Sequence, residues 1–179
     1  MPTAEIKSKS GLEDVVATSS AICYIDGHQG VLSYCGYDIH DLGQHATFEE
    51  VCFLLWHRRL PTRAELGDLQ SALAAARPLP EPLVRLMRSL PPSGDGQGGM
   101  DALRTLTSAL THFEPPPSAV GSARESYDQA VRLTAQMASI VATWGRLSAG
   151  GAPIAPDPAL SHAANFLYML TGNRPHATA

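Results

Sequence analysis

The chain has 179 residues, 44% hydrophobic and 17% charged, with a formal net charge of -4. That length and balance suit one medium domain with its own core and exclude global disorder. No lysine follows Lys9, no basic patch forms and the few aromatics do not interleave with basic residues, which excludes nucleic acid as a partner.

Residues 1–10 are polar and read as a flexible N-terminus. Val15 and Val16 precede an apolar run from Ser20 to Ile25, a turn framed by Asp26, Gly27 and Gly30, and a second run from Val31 to Tyr34. Two short strands about a DG-containing loop predict a β-hairpin at about 20–35. A lone hairpin is marginal in water and needs a surface to lie on. Gly36 turns the chain, and Asp38 is placed to cap a short helix through Leu42. Thr47 and Glu50 form a capping box for a helix over 47–58. Phe48, Val51, Cys52, Phe53, Leu54, Leu55 and Trp56 make that helix apolar around most of its circumference, which predicts burial. Thr62 and Glu65 repeat the box and open a more amphipathic helix over 62–77, ended by Pro78 and Pro80.

A short helix over 81–90 turns Leu83, Leu86, Met87 and Leu90 inward, and the segment PPSGDGQGG over 91–99 is a loop. A helix over 100–112 carries Leu103, Leu106, Thr107 and Leu110 on one side, and the prolines after Glu114, with Gly121, break the chain again. The longest uninterrupted helical pattern, 122–150, follows. Ala130, Leu133, Met137, Ile140, Val141, Trp144 and Leu147 recur at spacings of three and four and predict its packed face. Ala135, Ala138, Ser139 and Ala142 line a second face that lets neighbouring helices approach closely, and Gly150 and Gly151 stop the pattern. Asp157, followed by Pro158, is placed to cap a last helix that carries Leu160, Ala163, Ala164, Leu167, Tyr168 and Leu170 and ends at Gly172. The fold class is therefore mainly all-α, with six or seven helices and a short N-terminal β-hairpin.

Chemistry-bearing motifs are sparse. Seven histidines, His28, His40, His45, His57, His112, His162 and His176, make no pair at metal-ligand spacing, so no metal site is expected. Glu49 and Glu50 are adjacent in sequence, with one capping its helix and the other pointing elsewhere. The glycines of GDGQGG lack the lysine and the preceding strand of a phosphate loop. Cys23, Cys35 and Cys52 are an odd count without ligand spacing and read as reduced thiols. Cys52, inside an apolar helix, reads as an inert small hydrophobe, and Cys35 as the more open to question but non-catalytic. The first residues, MPTAEIKSKSG, are no secretory signal, and no run of about 18 apolar residues exists, so a cytoplasmic protein without a membrane span is expected.

The order of these segments resembles bacterial-type citrate synthases and the related 2-methylcitrate synthases. The resemblance rests on Gly11-Leu-Glu-Asp-Val-Val16, Ile22-Cys-Tyr-Ile-Asp-Gly27 and Gly30 through Ile39. It continues through Thr47-Phe-Glu-Glu-Val51, Leu54-Leu-Trp56, Leu60-Pro61, Met100-Asp-Ala-Leu-Arg104 and Asn165-Phe-Leu-Tyr-Met-Leu-Thr-Gly172. Three departures stand out: Cys35 replaces an arginine before Gly-Tyr, Gly98-Gly99 replaces His-Pro, and about Ala138 a proline is missing from the long helix.

The resemblance implies a fold and a division of the chain: 1–10 flexible, 11–175 a helical citrate-synthase-like large-domain fragment, and 176–179 a truncated tail. It also implies transfer of an acyl group, in which acetyl-CoA or propionyl-CoA condenses with oxaloacetate and water to give citrate or methylcitrate. The acyl-CoA is then a substrate, with no tightly bound cofactor. The family reaction uses a His and Asp acid–base pair, a second His that polarises the keto carbonyl, and arginines for the carboxylates. None of these matches a motif here, so no catalytic residue is assigned and the cofactor-binding residues are unknown. His176 does not fit the first catalytic segment, and Arg124 lies in the region of a coenzyme A arginine without matching it. The expectation is thus the N-terminal half of the family's large helical domain, lacking the catalytic residues and inactive alone. The alternatives are a non-catalytic helical scaffold or regulatory protein, or one subunit of a two-chain synthase. The implied partner is a second copy or a chain carrying the catalytic half.

Overall fold

The computed structural model of the protein describes residues 20–91, 98–113 and 122–175. Three antiparallel strands, β1 (Cys23–Asp26), β2 (Val31–Tyr34) and β3 (Tyr37–Asp38), are followed by seven described helices. These are α1 (Ile39–His45), α2 (Phe48–His57), α3 (Arg63–Ala76), α4 (Glu81–Ser89), α5 (Gly99–Leu110), α6 (Ala123–Ser148) and α7 (His162–Thr171). The architecture is mainly helical with an N-terminal antiparallel sheet, as expected for a citrate-synthase-like fold. The opening motif 11–16, most of the glycine-rich loop (92–97), the proline break (114–121) and the tail from 176 lie outside the described residues.

The hairpin is held at its turn by Asp26, whose carboxylate accepts the backbone N–H of His28 and Gln29 at 3.0 and 3.1 Å. The third strand corrects the expectation of a simple turn after Tyr34. Cys35 and Gly36 both take left-handed φ, 50° and 89°, so two residues suffice to bring Tyr37 back beside Tyr34. Asp38 caps α1 through the His40 N–H at 2.7 Å, and the helix runs past Leu42 to His45. Both capping boxes form: Thr47 with Glu50 at α2, and Thr62 with Glu65 at α3.

α6 is the axis of the molecule. Its 26 residues span about 39 Å at 1.5 Å per residue. It touches α3, α4, α5 and α7. One core joins Val131 and Ala135 to Phe53 of α2 and to Leu69 and Leu73 of α3. The other joins Ile140 to Leu83 and Met87 of α4 and to Ala102, Leu106 and Leu110 of α5. The predicted packed face of α6 is corrected. Its deepest residues are Val131, Ala135, Gln136, Ser139, Ile140, Ala142 and Thr143, which include three of the small-residue line and, of the predicted face, Ile140, whereas Leu133 and Val141 are 47% and 40% exposed. Small side chains admit the neighbouring helices closely, and the bulkier ones are displaced to the flank. At Gly145 a Cβ would stand 2.8 Å from Leu170 Cδ1 of α7, so α7 approaches there as closely as a glycine permits.

Two further expectations shift. α2 is less buried than its composition suggests: Phe53 and Leu54 are enclosed, but Phe48, at its N-terminal end, is 45% exposed. α7 starts at His162 with Ser161 as its cap, not at Asp157. Asp157 spends its carboxylate on the Ala159 N–H at 2.9 Å, a local turn that competes with helix initiation. The end of α7 at Gly172, with φ 84°, is as predicted.

The burial pattern of α6 gives opposite expectations for two substitutions. Ala142→Leu overfills the contact and should lower stability by about 1–3 kcal/mol. Leu133→Ser, on the exposed flank, should stay within about 0.5 kcal/mol. Urea unfolding of both variants reads the difference.

Candidate functional site

The densest group of buried polar side chains lies where α2, α3 and α7 meet. Glu49, Arg77, His162 and Asn165 are all at least 95% buried. Glu49 comes from the first turn of α2, where the adjacent Glu50 is already committed to the local capping box. Its Oε1 accepts the backbone N–H of His162 at 2.9 Å, so a carboxylate on one helix satisfies the N-terminus of another 113 residues away. Phe48 stacks on the His162 ring at 4.8 Å with planes 12° apart. Arg77, the last-turn neighbour of α3, reaches across to donate to the Asp157 carbonyl at 2.9 Å. The Asp157 N–H in turn donates to Asn165 Oδ1 at 2.8 Å, and the Asp157 carboxylate pairs with Arg174 beyond the end of α7.

Burial, reinforced by the Arg77 charge and opposed by Glu49, holds the His162 imidazole below its ordinary value. Burial also lowers Arg77, against the attraction of Glu49 and Asp157, yet a guanidinium stays charged throughout the working range. A buried cation is costly without nearby negative charge, which Glu49 and Asp157 supply to Arg77. His162 Nδ1 and Arg77 Nε have no hydrogen-bond partner in this cluster. The arrangement fixes the N-terminus, register and following turn of α7. Its groups are engaged with backbone rather than directed at an open cleft.

The residues weighed from sequence scatter. His28 sits in the exposed β1–β2 turn, His40 and His45 on α1, and His112 just past α5. The His57 ring lies 4.1 Å from that of Phe53 and 5.5 Å from that of Tyr127. Arg124 is exposed at the start of α6, and His176 lies outside the described residues. Among the described residues no three His, Cys, Asp or Glu side chains gather as a metal-binding group, and no helix is long and apolar enough to cross a membrane. Arg77 drew no notice in the sequence, Asn165 figured only as part of a motif, and Glu49 only as the neighbour of Glu50. One signal was available: two glutamates in a first turn that needs only one for its box.

Because the fold disfavours protonated His162, the unfolded chain takes up this proton first as pH falls. Stability from this group is therefore full above about pH 6.5 and declines as pH drops toward the lowered folded value. Urea unfolding between pH 7.5 and 5 should show the native protein losing more stability than His162→Phe over that window.

A sequence model of the family described as "Citrate synthase, C-terminal domain" matches residues 11–179. The chain is 42% identical over 170 residues to a citrate synthase of Haloferax volcanii, covering 94% of this chain and 44% of that protein. It is 40% identical over 176 residues to one of Acidithiobacillus ferridurans, covering 96% of this chain and 45% of that protein. The crystal structure of citrate synthase from Pyrobaculum aerophilum superposes with a TM-score of 0.81 at 35% identity, covering 93% of this chain and 42% of that one. The chain thus spans less than half the length of the relatives it matches. These matches correct the expectation of an N-terminal half of the large domain, because the family's C-terminal domain is matched along nearly the whole chain. The expectation of a portion that lacks catalytic residues and is inactive alone falls with it, together with its scaffold and two-chain alternatives. It rested on where the chain stops, and the family domain is continuous through the packed helices α1 to α7. By the extent of the family match and the likeness of fold, the chain belongs to the citrate synthase family.

Proposed function

We propose that the protein to which this chain belongs carries out a citrate-synthase-type condensation. The carbon beside the thioester of acetyl-CoA or propionyl-CoA adds to the keto carbon of oxaloacetate, and water then releases coenzyme A. The observation that carries this is the family match over 11–179, supported by the shared fold. Such a reaction needs a base for the carbon acid and a polar donor for the keto oxygen, held in fixed relation. The chain's contribution is rigidity: α6 sets the frame, and the Glu49 and Arg77 contacts fix α7 against it. Three free cysteines and the lack of a membrane-length helix among the described residues support a cytoplasmic setting. The native protein should release thiol from acetyl-CoA or propionyl-CoA only when oxaloacetate is present, followed with a thiol-reactive chromophore. Absence of oxaloacetate-dependent release from both donors removes the assignment, and the higher kcat/KM identifies the donor.

The same proposal includes a second copy as partner. Leu133, Met137 and Val141 repeat every four residues along α6, and the first and last are 47% and 40% exposed. An apolar stripe on the longest helix suits an isologous contact, in which the same patch meets itself across a two-fold axis. Light scattering should give a dimer for the native protein and a monomer for Leu133→Glu combined with Val141→Glu. A native monomer at micromolar concentration would exclude this partner.

A further inference from the structure

The three cysteines divide in the fold. Cys52 lies within α2, where burial, with the nearby Glu49 carboxylate, pushes its thiol up to about 11. It keeps its proton and is a poor nucleophile. Cys23 and Cys35 instead line one open cavity of about 300 Å³ at the edge of the sheet, together with Ser20, Tyr24, Ser33 and Arg58. Cys23 pairs with Tyr34 in the ladder, and the Cys35 N–H donates to the Ile22 carbonyl at 2.9 Å. Cys35 follows Tyr34, the ladder partner of Cys23, so the two cysteines are near neighbours in the sheet.

The cavity is also where the backbone is strained. Cys35 and Arg58, with φ of 50° and 59°, are the non-glycine residues with left-handed φ among the described residues, and both line it. Such conformations persist where surrounding structure imposes them, and they gather at functional sites. The environments of the two sulfurs differ. The Cys35 thiol is engaged with two backbone acceptors, the carbonyls of Leu54 and Ile22 at 3.6 and 3.7 Å. The Cys23 thiol donates only to the Ser20 hydroxyl, at 3.8 Å, among the described residues. Among the described residues the Arg58 guanidinium has no carboxylate partner, unlike Arg59, which pairs with Glu65.

We propose that this cavity is a thiolation site for small anionic disulfides, of the class of oxidised glutathione and coenzyme A disulfide. Cys23 is the attacking sulfur, and Arg58 receives the carboxylate or phosphate of the reagent. The step is a thiol–disulfide exchange. The Cys23 thiol loses its proton to solvent, and the thiolate attacks one sulfur of RSSR. The Cys23–S–S–R bond forms as the reagent's S–S bond breaks, and RS⁻ leaves and takes up a proton. The disulfide is the oxidant: one half of it is reduced to RSH while Cys23 is oxidised. Cys35 can then displace the second RS⁻, leaving a Cys23–Cys35 disulfide.

The test exposes the reduced full chain to oxidised glutathione, to coenzyme A disulfide and to neutral hydroxyethyl disulfide, with intact-mass and peptide-map readout. Cys35→Ser should trap one adduct on Cys23 while Cys52 stays free. Cys35→Gly, which relaxes the left-handed position, serves the same purpose if the serine variant does not fold. Arg58→Gln should slow both anionic reagents about fivefold, the order of one close charge interaction in water, and leave the neutral reagent unchanged. The faster anionic reagent identifies the source. Labelling of Cys52 ahead of Cys23, no adduct on the folded chain, or equal slowing of neutral and anionic reagents by Arg58→Gln would each overturn the proposal.

Discussion

Close contact along the small-residue line of α6 is the constraint from which the rest of the helical body follows. Ala135, Ser139 and Ala142 present little more than backbone, and Gly145 extends that line to the point where α7 is separated only by the Leu170 side chain. Helices that meet at such short range gain dispersion contacts over their whole shared length and tolerate little change in volume. With α7 seated there, the large side chains of α6 are pushed outward. Ile140 goes to the α4 and α5 core, and Leu133 and Val141 to the surface.

A helix held so closely must also be fixed along its axis, and apolar contact alone does not set register. The polar contacts of α7 do. Glu49 satisfies its N-terminus, Asn165 ties its first turn to Asp157, and Arg146 reaches the Leu170 carbonyl near its C-terminus at 3.4 Å. Arg77 and Arg174 hold the preceding turn from opposite sides. Each of these bonds is directional and all but one are at least partly buried, so a slip of one residue would leave several charged or polar groups unpaired. Together these contacts give α7 a single position.

Much of the fold was legible because its signals are local. The capping boxes at Thr47 and Thr62, the cap at Asp38, the DG turn and the glycine stop at Gly172 each involve residues within four positions of one another. The start of α7 was misplaced because two local options compete at Asp157. Tertiary bonds from its N–H and C=O settle it as a turn. The face of α6 was misread for a related reason. Periodicity ranks positions by hydrophobicity, whereas burial along this helix follows how near a neighbour can come. The Glu49, Arg77 and Asn165 cluster left almost no trace, since its members are 28 to 116 positions apart and each is an ordinary polar residue in its own segment.

By itself the amino-acid order determined most helix boundaries, that the body is helical with a small sheet ahead of it, and which family its motifs resemble. Those properties depend on backbone hydrogen bonds and side chains a turn or less apart, whose energies do not wait for the rest of the chain. Only the tertiary structure decided which stripe of α6 is core, that Glu49 caps a helix 113 residues away, and that two of three cysteines share a cavity with Arg58. These depend on distances between segments far apart in the chain, and no local periodicity encodes such a distance.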